Sequence, residues 1–154
     1  MSGIASTRRD IFAAAGLGLG LAALAGGAEA AARGLSDTEK TNLKVVNDFC
    51  AAFPTSDPAK LIGYFSDNPA YRVNEVTPPA VGHDAVLERM NGLARVVSKF
   101  EVHESWVRGP MVINERTDYF NGGRLKTWRG VGVFFVQNGK IVEWYDYTIE
   151  RVLA

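Results

Sequence analysis

KTWRGVGVFFVQNGKIVEWYDYTIER, residues 126–151, holds two strand-like runs and the turn between them. β-Branched and aromatic residues crowd both runs, and Asn138-Gly139 is a strong two-residue hairpin signal. The stretch predicts antiparallel strands over 126–136 and 140–151. Working back toward the N-terminus, 99–107 and 111–120 also read as strands. Ahead of them, Gly82-His83-Asp84 leads into a helix with Val86, Leu87, Met90, Leu93, Ala94 and Val97 on one face. A strand is expected over 70–76, ended by Pro78-Pro79, with 66–69 as the turn before it. Asp57 can cap a short helix with Pro58 at its first position and Leu61, Ile62 and Phe65 on its apolar face. Ser36-Asp37-Thr38-Glu39 has the form of a capping box, followed by Leu43, Val46, Phe49, Cys50 and Phe53 at helical spacing. Helix, helix, strand, helix and four strands make an α+β domain: a curved, mostly antiparallel sheet around about three N-terminal helices, with an apolar pocket inside a cone.

Residues 1–30 are set apart from that domain. Arg8-Arg9 precedes Ile11-Phe12, a Gly- and Ala-rich middle follows, and Ala28-Glu29-Ala30 supplies small residues for cleavage. This layout reads as a twin-arginine export signal of bacterial type, leaving a periplasmic or secreted domain over 31–154. The alternative is a retained membrane anchor, because 11–28 carries no charge. With Lys plus Arg at 17 and Asp plus Glu at 17, nothing draws the chain toward nucleic acid or an anionic membrane. The expected partner is a small neutral molecule. A lone cysteine, Cys50, excludes an intrachain disulfide and reads as a small core residue. His83 and His103 are the only histidines, and neither belongs to a cluster with metal-ligand spacing, so no metal is expected. Asn121-Gly122-Gly123 is a turn and not a nucleotide loop, so no nucleotide cofactor is expected either. Arg124, Lys126 and Arg129 read as a solvated strand edge.

The chemical signal lies in Asn114-Glu115-Arg116-Thr117-Asp118 and Glu143-Trp144-Tyr145-Asp146-Tyr147. Side chains two apart on a strand share a face, so Arg116 and Asp118 project together, and another strand can bring Asp146 beside them. By the same spacing Phe120 joins Asp118, while Trp144 and Thr148 join Asp146, as candidate pocket walls. An Asp⁻, Arg⁺, AspH trio is neutral, which lowers its burial cost and sets one acid beside one base. An aspartate of ordinary pKa near 3.9 must rise by about 3 pH units to be half protonated at pH 7, a cost of about 4 kcal/mol. Arg116 opposes that rise, so burial and the second carboxylate have to supply it. The competing interpretation is a surface Arg–Asp pair worth under about 1 kcal/mol.

These residues resemble the limonene-1,2-epoxide hydrolase family, within the nuclear transport factor 2-like or SnoaL-like superfamily. Besides Glu115-Arg116-Thr117-Asp118 and Trp144-Tyr145-Asp146-Tyr147, the resemblance runs through Asp57-Pro58-Ala59-Lys60-Leu61, Ala70-Tyr71 and Pro78-Pro79-Ala80-Val81-Gly82-His83. It implies the cone-shaped fold of that superfamily, a homodimer, and hydrolysis of a small lipophilic epoxide to a vicinal diol without a cofactor. It further implies that Asp146 is the general base, Asp118 the general acid and Arg116 the bridge between them. Tyr71 matches a tyrosine that grips the attacking water. The family's asparagine falls two places after that tyrosine, where this chain has Val73; Asn74 comes one place later and reaches the same face only through a bulge. Two rival functions stay open: an isomerase or cyclase working by proton transfer beside a carbonyl, and a non-catalytic module that holds a small apolar ligand.

Overall fold

In the computed structural model, which describes residues 34–55 and 57–154, Asn138 and Gly139 adopt φ of 51° and 72°. Two successive left-handed residues make the tight hairpin, and Gln137 accordingly pairs with Lys140. The export signal expected over 1–30 lies outside the described residues. From the N-terminus the elements are α1 (Asp37–Ala52), a 3₁₀ turn (Phe53–Thr55), α2 (Pro58–Leu61), a second 3₁₀ turn (Ile62–Tyr64), β1 (Phe65–Arg72), β2 (Ala80–Val81) and α3 (His83–Ala94). Four long strands follow: β3 (Val97–Arg108), β4 (Met111–Phe120), β5 (Leu125–Gln137) and β6 (Lys140–Leu153). They form one sheet in the order β2-β1-β6-β5-β4-β3, antiparallel at every junction except β1 against β6.

The sheet curves because several strands carry an extra residue. Ser98 and His103 on β3, Lys126 on β5, and Val142 and Ile149 on β6 have no partner in the register. Each such bulge bends its strand and sharpens the local twist. The concave face thus wraps α1, whose Val46, Phe49 and Cys50 are buried. Phe49 sits edge-on to Trp144 and Phe65, with ring centroids at 5.2 and 5.3 Å, and it centres the core. Burying each such side chain contributes about 1.5–3 kcal/mol.

α1 is also tied at its start. Ser36 Oγ accepts from Glu39 N, and Glu39 Oε2 accepts from Ser36 N, which completes the capping box. The other Glu39 oxygen accepts from Gly109 N at 2.9 Å, and Asn42 Nδ2 donates to Gly109 O at 3.0 Å. The helix is thereby fastened to the β3–β4 turn. The Gly109 N–H, then the Ser36 groups, hold the Glu39 carboxyl down at about 2.

Four expectations need correction. Phe65, expected on the face of α2, opens β1, where it is buried. Residues 66–69 are not a turn but part of β1, which pairs irregularly with β6 between Phe65 and Ala70. The strand then stops at Arg72 instead of reaching Val76, because Asn74 Oδ1 accepts from Val76 N and Thr77 N and so holds the backbone in a bend. Val97 belongs to the start of β3, where it is buried, and not to the face of α3, which ends at Ala94.

Candidate active site

Asn114, Arg116 and Asp118 alternate onto the concave face of β4, and Trp144 and Asp146 onto that of β6. β5 runs between these strands. Strands two apart are separated by about 10 Å. Arg116 can cross that gap only if the middle strand offers no side chain, and β5 presents Gly130 and Gly132 there. Gly132 pairs with Asn114 on one side and Asp146 on the other; Gly130 pairs with Arg116 and Thr148. A Cβ on Gly132 would lie 2.4 Å from Arg116 Nη1 and 2.8 Å from Asn114 Oδ1. The guanidinium occupies the space that Gly132 leaves, while the Trp128 indole lies over Gly130, where a Cβ would come within 2.2 Å of its ring.

Arg116 is fully buried, and Asp118 and Asp146 are 4% and 3% exposed. Nε donates to Asp118 Oδ1 at 2.9 Å, while Nη2 is shared between Asp118 Oδ2 at 3.3 Å and Asp146 Oδ1 at 2.9 Å. Nη1 donates to Asn114 Oδ1 at 3.3 Å, and Asn114 Nδ2 in turn reaches Cys50 Sγ at 3.3 Å. The rings of Phe100, Trp128 and Trp144 surround the cation, with centroids 4.9, 4.9 and 5.5 Å from Cζ. The expected trio therefore exists as one hydrogen-bonded group.

Its two carboxylates are not equivalent. Asp146 accepts from Trp144 Nε1 at 2.8 Å and from the Tyr71 hydroxyl at 3.4 Å in addition to Arg116. Asp118 has Arg116 alone among the described residues. Burial raises the Asp118 carboxyl to about 6 against the pull of Arg116, and the neighbouring Asp146 charge adds to the rise. Burial raises Asp146 too, opposed by Arg116, Trp144 and Tyr71, whose hydrogen bonds all favour its ionised form. The geometry thus favours a proton on Asp118 and a charge on Asp146. Burial also holds the Tyr71 phenol well above its ordinary value, so it remains a donor. It pushes the Cys50 thiol up to about 12, which fits a core residue and not a nucleophile.

Asp118 and Asp146 form the floor of a cavity of about 380 Å³ whose walls include Tyr71, Val73, Phe120 and Trp128. Phe120 lines it as expected. Trp144 and Thr148, expected as walls, stand behind them. Trp144 is fully buried and stacks on Tyr71 at 3.9 Å, while Thr148 Oγ1 accepts from Trp128 Nε1 at 3.0 Å. Asn74 does lie on the cavity wall, but in the bend after β1, with its carbonyl oxygen committed to two backbone N–H groups. A register shift in β1 is present, yet it lies before Tyr71 and so does not carry Asn74 onto the strand's inner face.

Sequence reading missed the two glycines, although Gly-x-Gly within a strand is itself a signal of close approach by another group. It also missed Arg151 and Leu153, which line the cavity because the extra residue Ile149 reverses the alternation of β6. No pattern in the sequence marks that reversal.

Residues 46–144 match the model of the SnoaL-like domain, and the chain belongs to that family. Its fold is shared with an LEH-like epoxide hydrolase of M. tuberculosis at 24% identity, with a TM-score of 0.63 over 71% of this chain and 84% of that one. A candidate SnoaL-like polyketide cyclase from Jannaschia sp. CCS1 is 14% identical, with a TM-score of 0.64 over 76% of this chain and 91% of the other. A nuclear transport factor 2-like protein of unknown function from Mesorhizobium loti is 22% identical, with a TM-score of 0.63 over 76% and 98%. These likenesses establish the nuclear transport factor 2-like cone fold. The superfamily includes epoxide hydrolases, polyketide cyclases and isomerases.

Proposed function

We propose that this chain hydrolyses a small lipophilic epoxide to a vicinal diol in one step, without a cofactor. The observation that carries the reading is the single Arg116 Nη2 shared by two buried carboxylates, both raised, at the floor of an apolar cavity. A strained ring needs protonation at oxygen and attack by water at carbon, delivered together. Asp146 takes a proton from water, whose oxygen attacks one ring carbon. The C–O bond breaks, and Asp118 gives its proton to the departing oxygen. Asp146 is left protonated and Asp118 ionised, and Arg116 bridges the pair while the proton returns. Tyr71 and the amide of Asn74 are the groups within this cavity that can hold the water. The LEH-like epoxide hydrolase among the structural neighbours adds to the support for this chemistry.

The test incubates the protein with terpene and cycloalkene epoxides in water enriched in heavy oxygen. Label enters the diol, and Asp146→Asn and Asp118→Asn each abolish turnover. Because Asp118 must be protonated, the rate falls as pH rises through about 6. Failure to open any epoxide in the panel sinks the assignment.

One observation favours a second reading. Asn74 Oδ1 is occupied by Val76 N and Thr77 N, so water has fewer holders than a hydrolase prefers. An isomerase or cyclase needs no bound water, only the same acid and base beside a carbonyl. Exchange of α-deuterium from cyclic ketones, lost in Asp146→Asn, would distinguish it.

A further inference from the structure

The mouth of the cavity carries a cation that the chemistry at its floor does not use. Exposed Arg151 and Leu153 mark that mouth, with Leu93 and Leu125 beside them. Arg151, not Glu150, takes the inward position because Ile149 is extra on β6. Thr148 holds the guanidinium there. Its Oγ1 accepts from Arg151 Nη2 at 3.2 Å and from Trp128 Nε1 at 3.0 Å, and donates to Glu75 Oε2 at 3.2 Å. Glu75 Oε1 accepts from Thr148 N. Both Glu75 oxygens are thus engaged by Thr148; the Thr148 N–H, helped by the Arg151 charge, holds the Glu75 carboxyl below its ordinary value, but no direct ion pair joins Glu75 to Arg151 among the described residues. A guanidinium has five N–H donors, and Arg151 spends one of them within the described residues.

We propose that Arg151 anchors a carboxylate, so that the occupant of this cavity is an amphiphilic acid. Its apolar body lies along Leu93, Phe120 and Leu125, and its head group rests on the guanidinium. One planar cation matches one carboxylate in bidentate geometry and balances its single charge, whereas a phosphate dianion would add a second, unbalanced charge to that of nearby Glu75. Combined with the proposed reaction, on which only this step rests, the substrate class is a lipophilic epoxy acid with the ring at the floor and the carboxylate at the mouth.

Binding alone tests the anchor. Calorimetry at pH 8 and low salt compares octanoate, methyl octanoate and octyl sulfate on the wild type, Arg151→Gln and Arg151→Lys. The wild type binds octanoate about tenfold more tightly than the ester. Arg151→Gln loses that preference while keeping the ester's affinity, and Arg151→Lys retains part of it. Arg151 is exposed, so ester affinity also reports that the variants are folded. The inference is overturned by undetectable octanoate binding, by equal affinity for acid and ester, by a preference that survives Arg151→Gln, or by tighter binding of octyl sulfate. A protein that shows the preference yet opens no epoxide loses the reaction and keeps the anchor. One that opens epoxides without the preference loses the anchor alone.

Discussion

Two ion pairs sit back to back on β4. On the convex side Arg129 reaches across from β5 to Glu115, with side chains 48% and 24% exposed. One residue along, on the concave side, Arg116 binds Asp118 and Asp146 with side chains 0%, 5% and 4% exposed. The chemical groups are nearly the same. Water screens the first pair and returns what its loss would cost, so it contributes under about 1 kcal/mol. Burial away from bulk water makes the second trio interdependent, because each charge left alone would be stranded in a low dielectric. A protein that needs a proton on a carboxylate near neutrality must build it on the dry side.

The comparison breaks most visibly at Arg116. Arg116→Met leaves two buried carboxylates with no counter-charge and costs about 3–5 kcal/mol in denaturant unfolding at pH 7. That loss shrinks at pH 4, where both acids can take protons. A cost unchanged by pH would mean lost packing and not stranded charge.

Next in size is the pH dependence that Asp118 imposes on stability. Its folded pKa of about 6 stands above the ordinary 3.8, so the folded state holds this proton more tightly than the unfolded chain. The contribution is fully present below 3.8 and is lost as pH rises through about 6. At about 1.4 kcal/mol per pH unit over that window, it amounts to about 3 kcal/mol. Asp118→Asn carries no proton in either state, so the difference in unfolding free energy between variant and wild type grows by most of that amount from pH 4 to pH 7. Half-buried Glu39, held down at about 2, acts with the opposite sign and below pH 4.5, and it cancels in the difference.

Gly132→Ala sharpens the contrast without touching a charge. A Cβ 2.4 Å from Nη1 forces the guanidinium off Asp146, at about 1–3 kcal/mol and with loss of turnover. Retained activity in this variant would show that the shared Nη2 is not needed. Smallest of all is Glu115→Gln on the wet side, which shifts stability by less than about 1 kcal/mol and leaves turnover unchanged.

How much of this was legible depends on how far each signal travels along the chain. The hairpin at Asn138-Gly139, the capping box at Ser36 and the alternation through Arg116 and Asp118 are local, and each is found where its residues predicted. The strand expected over 70–76 ends early, at Arg72, because Asn74 takes two backbone N–H groups into a bend, a competition that apolar content does not reveal. Trp144 and Thr148 were placed on the correct face of β6 and at the wrong depth, since a face says nothing of what packs in front of it.

From its residues alone the chain determined the order of every helix and strand except the two-residue β2, the antiparallel hairpin, and the presence of one cation and two acids on inward faces, because helix and strand periodicities are properties of neighbouring residues. Only the folded sheet decided that Gly132 clears a path for Arg116, that Gly130 lets Trp128 lie over it, and that Ile149 turns Arg151 toward the cavity. It also decided which aspartate stands among three donors. Those outcomes depend on register between strands and on exclusion of water, and neither is defined until distant segments meet.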